Sequence, residues 1–275
     1  MLLSALNKNR EDVMKRILSA LALLCATLSG FSAATAHAAS PVDSRLDDII
    51  RNGKLRVCMT GDYKPFTYLR SDNTFEGIDV DLAQALAKSL GVEAQLVKSS
   101  WSTLMDDFLS KCDIAMGGVS VTLERLRKAS FATAHMVDGK AAIARCTDVG
   151  KFQSLAMIDQ PGTRAIVNPG GTNERFARAN YKQAQLLLHP DNVTIFQQII
   201  DGKADIMVTD ASETLWQAKQ HPQLCSINPD KPLQFAEKAF MLPRADVAFK
   251  EYVDAWMHLL KANGDYDRIF NKWLH

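Results

Sequence analysis

Three places in this chain bring together residue types that handle anions and protons. Asp210 and Glu213 lie three positions apart, where an apolar run gives way to Ala211-Ser212-Glu213-Thr214. A carboxylate pair at that spacing serves one of two ends. Either Asp210 caps a helix and Glu213 folds back as the second half of a capping box, or Glu213 turns into a cleft and moves a proton. The second place is Gly117-Gly118-Val119-Ser120-Val121-Thr122, followed by Arg125. Glycine amides, two hydroxyls and a planar guanidinium at a strand end are the donors a carboxylate ligand takes. The third is Asn168-Pro169-Gly170-Gly171-Thr172, a turn from a strand into a helix. Amides exposed at such a start favour anions, so Thr172 offers a second anion contact, and Asn168 a hydrogen bond to substrate or acid. Lys140 closes the triplet Asp138-Gly139-Lys140. It either binds a carboxylate or faces solvent as an ordinary hinge lysine. Tyr63 and Trp101 follow strands and either pack in the core or line the cleft with flat faces. His135, His189 and His221 have no matching partners and are assigned no role.

These residues need a scaffold that collects strand ends. Short β-branched runs at 55–60, 93–99, 112–121, 164–171, 185–189, 204–210 and 238–243 alternate with amphipathic stretches. The stretch 79–90 puts Leu82, Leu86 and Leu90 on one face and stops at Gly91, and 247–262 and 266–274 close the chain. Further helices are predicted over 101–110, from Asn173, and over 192–200. Alternation of this kind predicts α/β architecture, with parallel sheets covered by helices. Two βαβ sets, 55–121 and 164–210, predict two lobes: residues 39–143 with 236–275, and 144–235. Crossings are expected near 141–145 and 232–238, about which the lobes close. Ligands in such sheets sit beyond the carboxyl ends of the strands, where the candidate residues lie.

The ends and the composition bound the setting. Residues 14–38 open with Lys15-Arg16, continue apolar and finish in Ala36-His37-Ala38, the order of a secretory signal peptide. The first 13 residues fit none of this, which leaves Met1 and Met14 as alternative starts. Residues 1–38 are therefore expected to be removed, placing the mature protein in the periplasm with no membrane span. A net charge of +1 without a basic block argues against nucleic acid. There is no His/Cys cluster, phosphate loop, dinucleotide fingerprint or Ser-His-Asp set, so neither metal nor cofactor is expected. Cys146 and Cys225 fall near the borders of the second lobe and are expected to pair. Cys58 and Cys112 are expected to remain buried thiols.

Several motifs in order carry a resemblance across nearly the whole mature chain. "GDYKPFTY" (61–68), "FEGIDVDLAQALAKSLG" (75–91), the run 112–143, "NPGGTNERFA" (168–177) and "DGKADIMVTDASE" (201–213) resemble the polar-amino-acid-binding proteins of ABC importers. "HPDNVTIFQQI" followed by "DGKAD", and "NPGGTNE", are more specifically similar to the periplasmic cyclohexadienyl dehydratases. The resemblance implies the type II binding-protein fold, two α/β lobes joined by two crossings. It further implies removal of water and CO2 from prephenate or arogenate, both small dicarboxylates. Arg125 would then pair with a substrate carboxylate, assisted by Ser120, Thr122 and Gly118. Glu213 would be the general acid, with a pKa raised by burial against the pull of the helix N-terminus toward the anion. In the amino-acid receptors the aspartate matching Asp210 binds the ligand's ammonium. A non-catalytic receptor is the competing implication. Oligomeric state and the choice between prephenate and arogenate stay open.

Overall fold

The computed structural model describes residues 44–274. The expected signal segment 1–38, including Met14, lies outside them. Two sheets carry the architecture. The first runs Glu93–Lys98, Lys54–Met59, Ile114–Ala115, Met241–Leu242, Ser130–Phe131, with the first three parallel. The second runs Gln185–Leu188, Arg164–Val167, Ile206–Asp210, Met136–Arg145, Leu224–Ile227. Its first three strands are parallel, and the pairings of Met136–Arg145 are antiparallel. This is the two-lobed α/β fold the sequence implied.

Strand alternation sends successive side chains to opposite faces, and both faces are buried. In Lys54–Met59, Val57 and Met59 pack with Ile78, Leu82 and Leu86 of the helix Ile78–Leu90. Cys58, between them, faces Leu104 and Phe108 of Leu104–Lys111 on the other side. In the second sheet Ala142 and Ala144 pack with Phe176, while Ile143 faces Ile195, Phe196 and Ile199. Among the described residues no helix is long and apolar enough to cross a membrane.

Three expectations change. Residues 141–145 are not a crossing: they pair inside the second sheet with Ile206–Asp210 and Leu224–Ile227. Small and branched side chains there let helices cover both faces. The connection falls one step earlier, where Met136–Lys140 runs antiparallel to Gln234–Lys238. The strand expected over 112–121 shrinks to Ile114–Ala115. Beyond it the buried Asp79 carboxylate accepts the N–H groups of Gly117 and Gly118, both at 2.6 Å. Those glycines take φ of 114° and 68°, and a Cβ on Gly118 would stand 2.5 Å from the Tyr63 ring. The turn is thereby diverted from the sheet toward the cleft.

The third correction concerns sulfur. Cys146 and Cys225 are bonded as expected, but so are Cys58 and Cys112, expected as buried thiols. Cys112 does not open a strand. It caps the C-terminus of Leu104–Lys111, and that helix packs on the face to which Cys58 points.

Candidate active site

Glu213 and Asp210 stand at the start of the helix Ala211–Gln220, which leaves the carboxyl end of Ile206–Asp210. Asp210 occupies the N-cap position, yet its side chain makes no capping bond. Its Oδ1 accepts from Lys140 Nζ at 2.7 Å, and its Oδ2 accepts from the Tyr63 hydroxyl at 2.5 Å and from Lys238 Nζ. Burial alone would raise its pKa. The charges of Lys140 and Lys238 overcome that and hold Asp210 ionised, well below the usual carboxylate range. Glu213 does not fold back as a capping box requires. Its Oε2 accepts from Thr209 Oγ1 at 2.5 Å, and Thr209 Oγ1 in turn accepts from Asn173 Nδ2 at 2.9 Å. Only 1% of Glu213 is exposed. Burial pushes its pKa up to about 8; the Thr209 bond and the two lysines pull downward, and the Asp210 charge adds to the rise. The helix start therefore carries one carboxylate fixed as an anion and one fixed as an acid.

Lys140 lies on the connecting strand and is not a solvent-facing hinge lysine. It is 3% exposed, and its Nζ also donates to Thr172 Oγ1 at 2.9 Å and to Asn173 Oδ1. Burial lowers its pKa against the opposing pull of Asp210. Thr172 opens the helix Thr172–Asn180, and Asn168 Oδ1 lies 3.4 Å from Asn173 Nδ2. From the first lobe come Tyr63, in edge contact with Trp101 at 5.5 Å between centroids, together with Gly118 and Ser120.

Tyr63, Trp101, Gly118, Ser120, Asn168, Thr172 and Asp210 converge on one cavity of about 10 Å³. That volume holds about one water, so any organic ligand requires the lobes to part. Contacts across the closed cleft include Asn192 Nδ2 to the Asp62 carbonyl at 3.0 Å and Arg175 to Glu124 at 3.4 Å. A Cβ on Gly170 would stand 2.6 Å from Ser102 Cα across the same gap.

Four sequence candidates do not line that cavity: Glu213, Arg125, Thr122 and Lys140, the last of which lines a neighbouring cleft with Thr122 and Thr172. Glu213 lies behind the Thr209–Asn173 pair. Arg125 is buried with Nη1 donating to the Ser120 carbonyl at 2.8 Å. It lines an adjoining cleft of about 200 Å³ with Trp101, Glu124, Gly170 and Arg175. Burial, with Arg175 nearby, lowers its pKa to about 10. Thr122 caps the helix Leu123–Leu126, its hydroxyl accepting Arg125 N–H at 3.2 Å. A larger groove of about 520 Å³, lined by Pro65, Leu215, Trp216 and Pro229, is mainly apolar, with Asp138, Ser212, Lys219 and Asp230 among its polar lining.

Sequence reasoning missed Lys238, Asn173 and Thr209. Lys238 is fully buried, donating to Ser120 Oγ at 3.1 Å and Tyr63 hydroxyl at 3.3 Å besides Asp210. Its signal was a lysine opening the apolar run "KAFMLP" on the second crossing. Asn173 and Thr209 act through side-chain contacts between a helix and strands distant in sequence, and nothing local marks them.

Two α/β lobes joined by paired strands and closed over a small polar cavity are the architecture of a ligand-enclosing protein. The chain belongs to the bacterial extracellular solute-binding proteins, family 3, whose model matches residues 55–275. It is 54% identical over 233 residues to the cyclohexadienyl dehydratase of Pseudomonas aeruginosa, covering 84% of this chain and 87% of that protein. An arginine-binding protein of an Escherichia coli ABC transporter is 24% identical, covering 80% of this chain and 90% of its own. Among solved structures, an ancestral amino acid-binding protein described as a precursor of cyclohexadienyl dehydratase superposes with a TM-score of 0.78. It is 30% identical and covers 84% of this chain and all of its own. An ancestral cyclohexadienyl dehydratase is 47% identical, with a TM-score of 0.54 over 86% of this chain and 98% of its own.

Proposed function

We propose that the protein is a periplasmic, cofactor-free carbon–oxygen lyase that converts prephenate to phenylpyruvate and arogenate to phenylalanine. The observation that carries this reading is Glu213, a carboxylic acid that burial keeps protonated up to about pH 8. A protein that only holds its ligand has no need of such a group. In the reaction the ring carboxylate leaves as CO2, and the electron pair of that C–C bond enters the ring. The ring C–O bond breaks at the far side as aromaticity forms. Hydroxide is a poor leaving group, so Glu213 donates a proton and the oxygen departs as water. Glu213 is left as a carboxylate and is reprotonated when the lobes part.

The remaining residues bind and orient. Arg125, Ser120 and Thr122 serve one carboxylate, the Gly118 amide being already taken by Asp79, and Thr172 with Lys140 serves the other. Tyr63 and Trp101 stack on the ring, and Asn168 orients the Asn173–Thr209 pair that holds Glu213. Identity of 54% with a cyclohexadienyl dehydratase along most of both chains supports the same reading. The test is direct. Purified protein mixed with prephenate at neutral pH should generate phenylpyruvate absorbance at a rate proportional to protein. Saturable prephenate binding with no such absorbance would leave a receptor and overturn the proposal.

A further inference from the structure

Four buried polar atoms without a hydrogen-bond partner belong to one corner of the cleft: Thr60 Oγ1, Asp62 Oδ1, Trp101 Nε1 and Asn192 Oδ1. Trp101 and Asn192 line the central cavity, as does Tyr63, next in sequence to Asp62. Asn192 comes from the second lobe, and its Nδ2 donates to the Asp62 carbonyl at 3.0 Å, so closure sets this amide against Asp62. Burial raises the pKa of the Asp62 carboxyl, while Thr60, Lys98 and Trp101 beside it favour the anion. Lys98 is engaged elsewhere, its Nζ donating to the Thr60 carbonyl. Asp210 differs, because both of its oxygens are held by Lys140, Lys238 and the Tyr63 hydroxyl. Asp79 Oδ1 also lacks a partner, but that residue is fully buried behind the Gly117 and Gly118 amides.

The four atoms have a definite hydrogen-bonding character. An ionised Asp62 and the Asn192 amide oxygen only accept, the Thr60 hydroxyl accepts or donates, and the Trp101 N–H only donates. An ammonium has three N–H groups, one for each of the three acceptors. Its charge also supplies the counter-ion that favours the ionised form of a buried carboxyl. We propose that Asp62, with Thr60 and Asn192, receives the ammonium of an α-amino acid ligand, which makes Asp62 a specificity-determining residue for arogenate. The carboxylate on the same carbon then faces Trp101, on the side where Trp101 and Arg125 share a cleft. A keto oxygen in the ammonium's place accepts from Trp101 Nε1 and Thr60 Oγ1 instead, so one corner serves both side chains. This rests on the proposed reaction for its substrate class.

The experiment measures binding of L-phenylalanine and of phenylpyruvate by calorimetry to the wild type, Asp62→Asn and Asn192→Leu, at pH 7. Asp62→Asn keeps the size and an acceptor but removes the charge. It should move the affinity ratio at least about tenfold toward phenylpyruvate, since a charge pair is lost for one ligand only. Asn192→Leu removes an acceptor that only the ammonium uses, and should move the ratio the same way by at least about threefold. Damage to the cleft or to its closure weakens both ligands alike, so an unchanged ratio in Asp62→Asn overturns the assignment. If that variant does not fold, an unchanged ratio in Asn192→Leu overturns it instead. A wild type that does not bind L-phenylalanine also overturns it. Prephenate turnover by the wild type is followed separately. Turnover with an unmoved ratio sinks this inference only, and a moved ratio without turnover sinks the reaction only.

Discussion

On the first lobe the central cavity is faced by Tyr63, Trp101, Gly118 and Ser120, none of which carries a charge. On the second lobe and the connecting strands stand Lys140, Asp210 and Lys238, with Glu213 one layer behind. One side offers shape and neutral donors, while the other sets where protons sit. The separation is sharpest within a single helix start. Asp210 and Glu213 both feel the helix N-terminus, which favours anions, yet only Asp210 touches the lysines and only Asp210 ionises readily. Contact with a counter-ion, more than burial as such, decides which carboxylate keeps its proton, because both are almost completely enclosed. A neutral recognition surface of this kind can be altered without disturbing the acid opposite.

Substitution on the proton-setting side should have the largest effect. Glu213→Gln should reduce turnover of prephenate by at least ~10²-fold, the lower end of what a positioned acid contributes. Because only the protonated carboxyl donates, the wild-type rate should fall as pH rises through about 8, and the Gln variant should lack that limb. Ligand affinity should stay within about an order of magnitude, since Gln keeps an acceptor for Thr209. Retained turnover in the Gln variant would remove the acid from the mechanism.

Arg125→Met tests the recognition side. It should weaken any carboxylate ligand by at least about 30-fold, as expected when one partner of a desolvated charge pair is lost. The pH limb near 8 should stay where it is. An affinity change within twofold would show that Arg125 only supports the Ser120 turn. The smallest expected effect comes from the seam between the two sides. Gly170→Ala places a methyl against Ser102 and strains a φ of 84°. It should reduce kcat/KM by about tenfold through incomplete closure, a modest steric cost. Scattering with bound phenylpyruvate should then show a larger radius of gyration than in the wild type.

The sequence was most readable where function depends on local order. The helix 247–262 matches its expected bounds, because periodicity alone defines a long amphipathic stretch. Tyr63, Trp101, Gly118, Ser120, Asn168, Thr172 and Asp210 were all accessible as strand-end residues, since parallel sheets gather such ends. What stayed hidden depends on pairing at a distance. Lys238 reads as an ordinary lysine until the antiparallel register with Met136–Lys140 sets it against Asp210. The capping-box spacing at Asp210 and Glu213 pointed to a local bond that does not form: Lys140 and Lys238, distant in sequence, hold one carboxylate, and Thr209, itself held by Asn173, holds the other. The continuous apolar run after Cys112 reads as a strand, and the turn enforced by Asp79 is not visible from residues 112–121 alone.

The cysteine pairing has a consequence for how the chain matures. The four cysteines among the described residues admit three pairings, and the one present, Cys58–Cys112 and Cys146–Cys225, joins them consecutively in chain order. Neither loop encloses or threads the other. A chain entering an oxidising compartment N-terminus first presents each correct partner before any wrong one, so pairing in order of arrival yields the native set. Oxidative maturation of this protein should therefore proceed with a simple thiol oxidant and gain little from a disulfide isomerase.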